Sequence, residues 1–138
     1  MSHRPSVLIL DYGSQYTQLM ARRVGEACVY CEIVPCSVSV ERILELGPKA
    51  LILSGGPDSV TAVNAPKSDP RLFEMGLPVL GICYGQQLMA AQLGGKVEPS
   101  DQREYGPATL TIAVAEGLLA PFKPGDRLSV WMSHGDRL

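Results

Sequence analysis

The chain has 138 residues, 46% of them apolar and 19% charged, which suits one domain with a buried core and argues against disorder. A net charge of -2 gives no electrostatic basis for binding nucleic acid or an anionic membrane surface. No apolar run approaches the ~20 residues that span a bilayer. Met1-Ser2-His3-Arg4-Pro5 leads into strand-like sequence without a secretory signal, so a cytoplasmic location is expected.

Val7-Leu8-Ile9-Leu10 is a continuous apolar run, as expected of a strand buried on both faces. Asp11-Tyr12-Gly13-Ser14 turns the chain. From Gln15 to Ala27, Tyr16, Leu19, Met20, Val24 and Ala27 recur at helical spacing. Val29 to Val34 is rich in strand formers and is closed by Pro35. Val40 to Leu46 predicts a short helix stopped by Gly47-Pro48. Ala50 to Leu53 predicts a second buried strand, followed by Ser54-Gly55-Gly56-Pro57. Asp58 to Asp69 has the composition of a surface loop. A short helix is expected over Pro70 to Met75 and a buried strand over Pro78 to Ile82. A further helix over Gln86 to Leu93 ends at Gly94-Gly95, a pair suited to a left-handed cap. Ala108 to Ala113 and Leu128 to Met132 predict strands without a long helix between them.

Repeated strand-helix units predict an α/β fold. Parallel connections need crossovers, so the sheet is expected to be mostly parallel with helices on both faces. The later strands predict some antiparallel pairing toward the C-terminus. The sequence shows no internal repeat, low-complexity tract or domain linker.

Four cysteines and two histidines set the candidate chemistry. Disulfides are not expected without secretion. Cys28-x-x-Cys31 has the spacing of half a metal or redox site, but no second Cys/His pair follows, so no metal is expected. Cys28, Cys31 and Cys36 are expected as partly buried thiols around a helix end and the next strand.

Cys83 stands apart. Open parallel sheets bind ligands beyond the carboxyl ends of their strands, and Gly81-Ile82-Cys83-Tyr84-Gly85 falls between a buried strand and a helix. This is the cysteine form of the Gly-x-Ser-x-Gly elbow. Its small neighbours permit a tight turn that lifts the nucleophile clear of the sheet. The free N–H groups of the new helix favour a thiolate, and the Tyr84 N–H can face an oxyanion. The ordinary alternative is a structural cysteine in a glycine-tightened turn. Gly55 and Gly56 sit at the end of another strand, where they would let a ligand approach the backbone.

Leu53-Ser54-Gly55-Gly56-Pro57 together with Gly81-Ile82-Cys83-Tyr84-Gly85-Gln86-Gln87 resembles the class I, triad-type glutamine amidotransferases. Asp11 to Tyr16, Ala21 to Val24, Arg103-Glu104-Tyr105-Gly106 and Trp131-Met132-Ser133-His134-Gly135-Asp136 are similar to the amidotransferase domains of the GMP synthases. The similarity runs in order over nearly the whole chain. It implies a flavodoxin-like open sheet, with Cys83 as nucleophile and the N–H groups of Gly56 and Tyr84 as oxyanion hole. It also implies that Gln87 and the Ser133-His134-Gly135-Asp136 segment hold L-glutamine.

The resemblance further implies that ammonia passes to a synthetase domain, in the same longer chain or on a separate polypeptide. There XMP, adenylylated by ATP with magnesium, is aminated to GMP. No cofactor is implied for the amidotransferase domain itself, and the resemblance admits a homodimer for the complete enzyme.

The family's activating histidine and its glutamate occur in a His-Pro-Glu motif that these 138 residues do not contain. The expectation is an amidotransferase domain over residues 1–138, incomplete at its C-terminal end, without the synthetase domain, inactive by itself and unstable unless a partner covers it. His134 is the alternative base, although a polar-loop histidine bonded to backbone is the simpler reading. Other functional readings are a glutamine-binding or regulatory module without turnover, and an amidotransferase serving CTP, anthranilate or carbamoyl phosphate synthesis.

Overall fold

The computed structural model of the protein describes residues 4–56 and 64–137, the side chains of 99–105 and 132–137 excepted. The chain forms two compact units, Met1–Pro99 with Asp136–Leu138, and Ser100–Gly135.

The first unit is built on four parallel strands, β1 (Val7–Asp11), β2 (Cys31–Pro35), β3 (Ala50–Leu53) and β4 (Val79–Gly81), in the order β2-β1-β3-β4. Between them lie α1 (Thr17–Glu26) and α2 (Val40–Leu46), and α3 (Tyr84–Gln92) follows β4. The strand order reverses between β1 and β3, the position where sheets of this kind open a crevice for ligands.

The register explains the core. Leu8 pairs with Leu51 and Leu10 with Leu53, so all four side chains share one face. That face is closed by Ile43 of α2, Leu72, and Tyr84 and Leu88 of α3, each at most 2% exposed. Fully burying one such leucine contributes roughly 1.5–3 kcal/mol. Ile9 is buried on the opposite face. Cys31 shares that face through its pairing with Val7 and donates its thiol to Ala21 O of α1 at 3.5 Å.

Several elements depart from the sequence expectation for local reasons. The first helix starts at Thr17 rather than Gln15. The Asp11 carboxylate accepts from the Gly13 N–H and the Thr17 hydroxyl, while Ser14 Oγ accepts from the Tyr16 N–H. These bonds hold residues 12–16 in a turn. Tyr16 and Leu19, placed by periodicity on the apolar face, are exposed. Pro35, expected to close β2, is its last residue, which an edge strand tolerates. Strand β4 is also an edge among the described strands, and Leu80 is half-exposed rather than buried.

Residues 57–63 lie outside the described residues. The remainder of the expected surface loop is not all at the surface, because Ala65 and Ser68 are buried. Pro70–Glu74 is a 3-10 helix, opened by the Asp69 carboxylate accepting from the Arg71 N–H. Gly47 (φ 62°) and Gly94 (φ 89°) take the left-handed conformations expected at helix ends.

The second unit contains an antiparallel pair. Strand β5 (Glu98–Thr111) and strand β6 (Arg127–Arg137) begin or end in the first unit, and a 3-10 turn at Gly117–Leu119 lies between them. Both strands are longer than the sequence predicts. Ile112 is buried, and its N–H and C=O bond to Asp126 and Gly125. His134, expected in a polar loop, lies within β6.

Candidate active site

Cys83 is the residue before α3 and takes φ 51°, ψ -111°. A non-glycine residue at positive φ holds strain of order 1–3 kcal/mol, which the surroundings must offset. The flanking chain is pinned. Ile82 N–H donates to Leu53 O (3.0 Å), Gly85 N–H lies 3.1 Å from Ser54 O, and Gln87 N–H donates to Cys83 O (3.1 Å). The cysteine itself is exposed.

The two flanking glycines are required by contact. A Cβ on Gly81 would lie 2.8 Å from Gln86 N and Met89 Sδ, and one on Gly85 would lie 2.5 Å from Leu53 O. The turn is therefore as tight as the elbow expectation demands, with α3 starting against the end of β3. The helix begins two residues earlier than its periodicity suggests, because Tyr84 and Gly85 are already helical.

The glycines after β3 meet this turn. A Cβ on Gly55 would be 3.4 Å from Cys83 Cβ and 3.8 Å from Ser14 Oγ. A Cβ on Gly56 would be 2.5 Å from Tyr12 O. Ser54, fully buried, accepts from the Tyr12 N–H at 3.0 Å and donates to Gly55 O at 2.9 Å. Gln87 is 8% exposed and follows Cys83 by four residues, on the same side of the helix.

Cys83, Gly56, Tyr84 and Gln87 all belong to the first unit. Ser133, His134 and Gly135 belong to the second unit and Asp136 to the first, all on β6. Their side chains, like those of Arg103, Glu104 and Tyr105, lie outside the described residues, as does Pro57. Cys28 is exposed at φ 61°, just beyond α1, and Cys31 and Cys36 are partly buried. Burial pushes both of those thiols above the ordinary range.

Sequence reasoning gave no individual role to Tyr12, Ser14, Ser54 or Ser68. Tyr12 is buried with its ring 5.4 Å from that of Tyr84, inclined by 44°. Its hydroxyl bonds to Ser68 Oγ, and burial pushes its pKa up to about 12. Ser68 donates to Cys36 O at 2.8 Å, so the Tyr12 hydroxyl is the donor toward Ser68. Tyr84 donates its hydroxyl to Pro66 O. The available signal was position, since Tyr12 and Ser14 follow β1 at the same end of the sheet as Ser54 and Cys83.

A site of this form can hold a small electrophile between an exposed thiol, glycine backbone and a helix N-terminus. Residues 8–138 match the family of class-I glutamine amidotransferases. The chain is 53% identical over 133 residues to a glutamine-hydrolyzing GMP synthase of Heliobacterium modesticaldum, covering 96% of this chain and 26% of that protein. It is 55% identical over 136 residues to the protein of the same name from Caldanaerobacter subterraneus, with 98% and 26% covered. The chain thus spans about a quarter of the length of these curated relatives.

Its fold is similar to a solved structure from Thermoplasma acidophilum, provisionally described as one component of a GMP synthase. The TM-score is 0.77 at 23% identity, over 99% of this chain and 67% of that one. A glutamine amidotransferase structure from Methylobacillus flagellatus gives 0.69 at 21% identity, over 98% and 57%. Both likenesses concern the fold. The match over residues 8–138 carries the family assignment, and the chain belongs to the class-I glutamine amidotransferases.

Proposed function

We propose that Cys83 hydrolyses the side-chain amide of L-glutamine and that the ammonia aminates XMP to GMP in the complete protein. The observation that carries this reading is Cys83 itself, an exposed cysteine at φ 51° between β4 and α3, in a family of glutamine amidotransferases.

The Cys83 thiolate attacks the amide carbon, and its electron pair forms the C–S bond as the carbonyl oxygen becomes an oxyanion. The N–H groups of Gly56 and Tyr84 stabilise that oxygen. Collapse expels ammonia, with a proton delivered to the leaving nitrogen, and leaves a glutamyl thioester. Water then releases glutamate and restores the thiol. Gln87 and the Ser133-His134-Gly135-Asp136 segment hold the amino-acid end of glutamine. The family's His-Pro-Glu pair supplies the histidine that exchanges protons with Cys83 and the glutamate that orients it.

The acceptor assignment is supported by the identity to proteins named GMP synthase and by the Arg103–Gly106 and Trp131–Asp136 segments. ATP and magnesium act in the synthetase part, not at Cys83. In the complete protein, Cys83→Ala is expected to abolish glutamine-dependent GMP formation and to leave ammonia-dependent formation near wild type. Retention of the glutamine-dependent rate would overturn the proposal, and so would loss of both rates in a folded variant.

A further inference from the structure

We propose that Tyr12 is a positioning residue that braces both halves of the oxyanion hole, Gly56 through its backbone and Tyr84 through its ring. The inference rests on the glutamine-hydrolysis reading and goes beyond it by naming what holds the two N–H donors in register.

The donors come from different strands. Gly56 follows β3, and Tyr84 follows β4 and opens α3. Their spacing must be held to a fraction of an ångström, because displacement of about 1 Å can cost roughly 100-fold in rate. Tyr12 follows β1 and touches both. Its carbonyl oxygen and Cβ occupy the space beside Gly56, 2.5 and 3.4 Å from where a Cβ would stand. Its N–H is tied to Ser54, which in turn holds Gly55 O. Its ring lies against the Tyr84 ring at 5.4 Å.

Both rings are anchored at their far ends. The Tyr12 hydroxyl donates to Ser68, which donates to Cys36 O, and the Tyr84 hydroxyl donates to Pro66 O. A buried phenol with a satisfied hydroxyl has one rotamer and one depth. Tyr12 therefore fixes Tyr84 about the helix start without touching the substrate.

The test uses the complete protein and two readouts. Steady-state glutamine hydrolysis needs the oxyanion hole. Alkylation of Cys83 by iodoacetamide, followed by mass spectrometry of the Cys83 peptide, is a direct displacement that builds no oxyanion. Tyr12→Leu is expected to lower kcat about 30- to 100-fold. KM, the alkylation rate and ammonia-dependent synthesis should stay within about 2-fold of wild type. Tyr12→Phe keeps the ring and loses the anchor, so its kcat should fall only about 3-fold. Unchanged kcat in Tyr12→Leu would overturn the proposal. So would a parallel fall in alkylation, which would mean collapse of the whole turn.

If Tyr12→Leu does not fold, Tyr12→Phe and Ser68→Ala decide. A fall of about 3-fold in kcat with unchanged alkylation supports the brace, and unchanged kcat in both variants overturns it. Failure of the underlying reading is seen separately, as glutamine turnover that persists in Cys83→Ala.

Discussion

Cys83 and Tyr12 show two ways in which one residue can matter to this site. Cys83 carries backbone strain and exposure together, and both could be anticipated because glycines at 81 and 85 permit a tight local turn. Tyr12 is different. Its partners Ser54, Ser68 and Tyr84 are 42, 56 and 72 positions away, so its role exists only once β1 and β3 lie side by side. Sequence reading found Tyr12 within a turn and within a family segment, and had no local signal for its burial.

That burial has a measurable consequence. The phenol titrates near 10 in an unfolded chain and is pushed up to about 12 in the fold. Below pH 10 both states keep the proton, and the full stabilisation is present. Between the two values the unfolded chain alone gives up its proton, so stability falls as pH rises and this contribution is gone above about pH 12. The melting temperature of the wild type is therefore expected to fall more steeply from pH 10 to 12 than that of Tyr12→Phe. Cys31 titrates in both proteins and cancels, and because the Cys36 thiolate itself disfavours the Tyr12 phenolate, both proteins are compared in a Cys36→Ser background. Equal slopes would show that the Tyr12 phenol is not held protonated by the fold.

The secondary elements were legible where the signal was local and strong. Val40–Leu46, with its Ser39 cap and Gly47 stop, and Ala50–Leu53 lie where pattern places them. The start of α1 was not, because side-chain bonds from Asp11 and Ser14 outweigh the periodicity. The depth of β4 was not either, since an apolar run does not reveal which strand lies at an edge.

The elbow is closely packed against β3. Gly85→Ala would press a methyl group against Leu53 O and Leu53 Cβ, both within 2.6 Å. It should destabilise the complete protein by about 1–3 kcal/mol. Gly25→Ala, in α1 with nothing within 4 Å, should be neutral or stabilise by up to about 1 kcal/mol. Denaturant midpoints read both changes. Equal effects at the two sites would contradict the close packing of α3 on β3.

At the scale of the molecule, alternating strand and helix signals gave the α/β class, and glycine-flanked residues after the strands gave the end where chemistry belongs. The strand order β2-β1-β3-β4 was not readable, because it depends on which apolar runs pair across the chain. It is this order that puts the turn after β1 beside the Gly55-Gly56 loop at the reversal point. The division into Met1–Pro99 with Asp136–Leu138 and Ser100–Gly135 carried no linker signature. Among the described residues, no helix is long and apolar enough to cross a membrane. Family membership rests on residues 8–138. The proposed hydrolysis requires covalent chemistry at Cys83. It is tested most directly by mixing the complete protein with glutamine, quenching in acid within the first turnovers, and mapping adducts by mass spectrometry. A glutamyl thioester is expected on the Cys83 peptide, absent from Cys83→Ala. Glutamine consumption with an unmodified Cys83, or with the adduct on Cys28, Cys31 or Cys36, would contradict it.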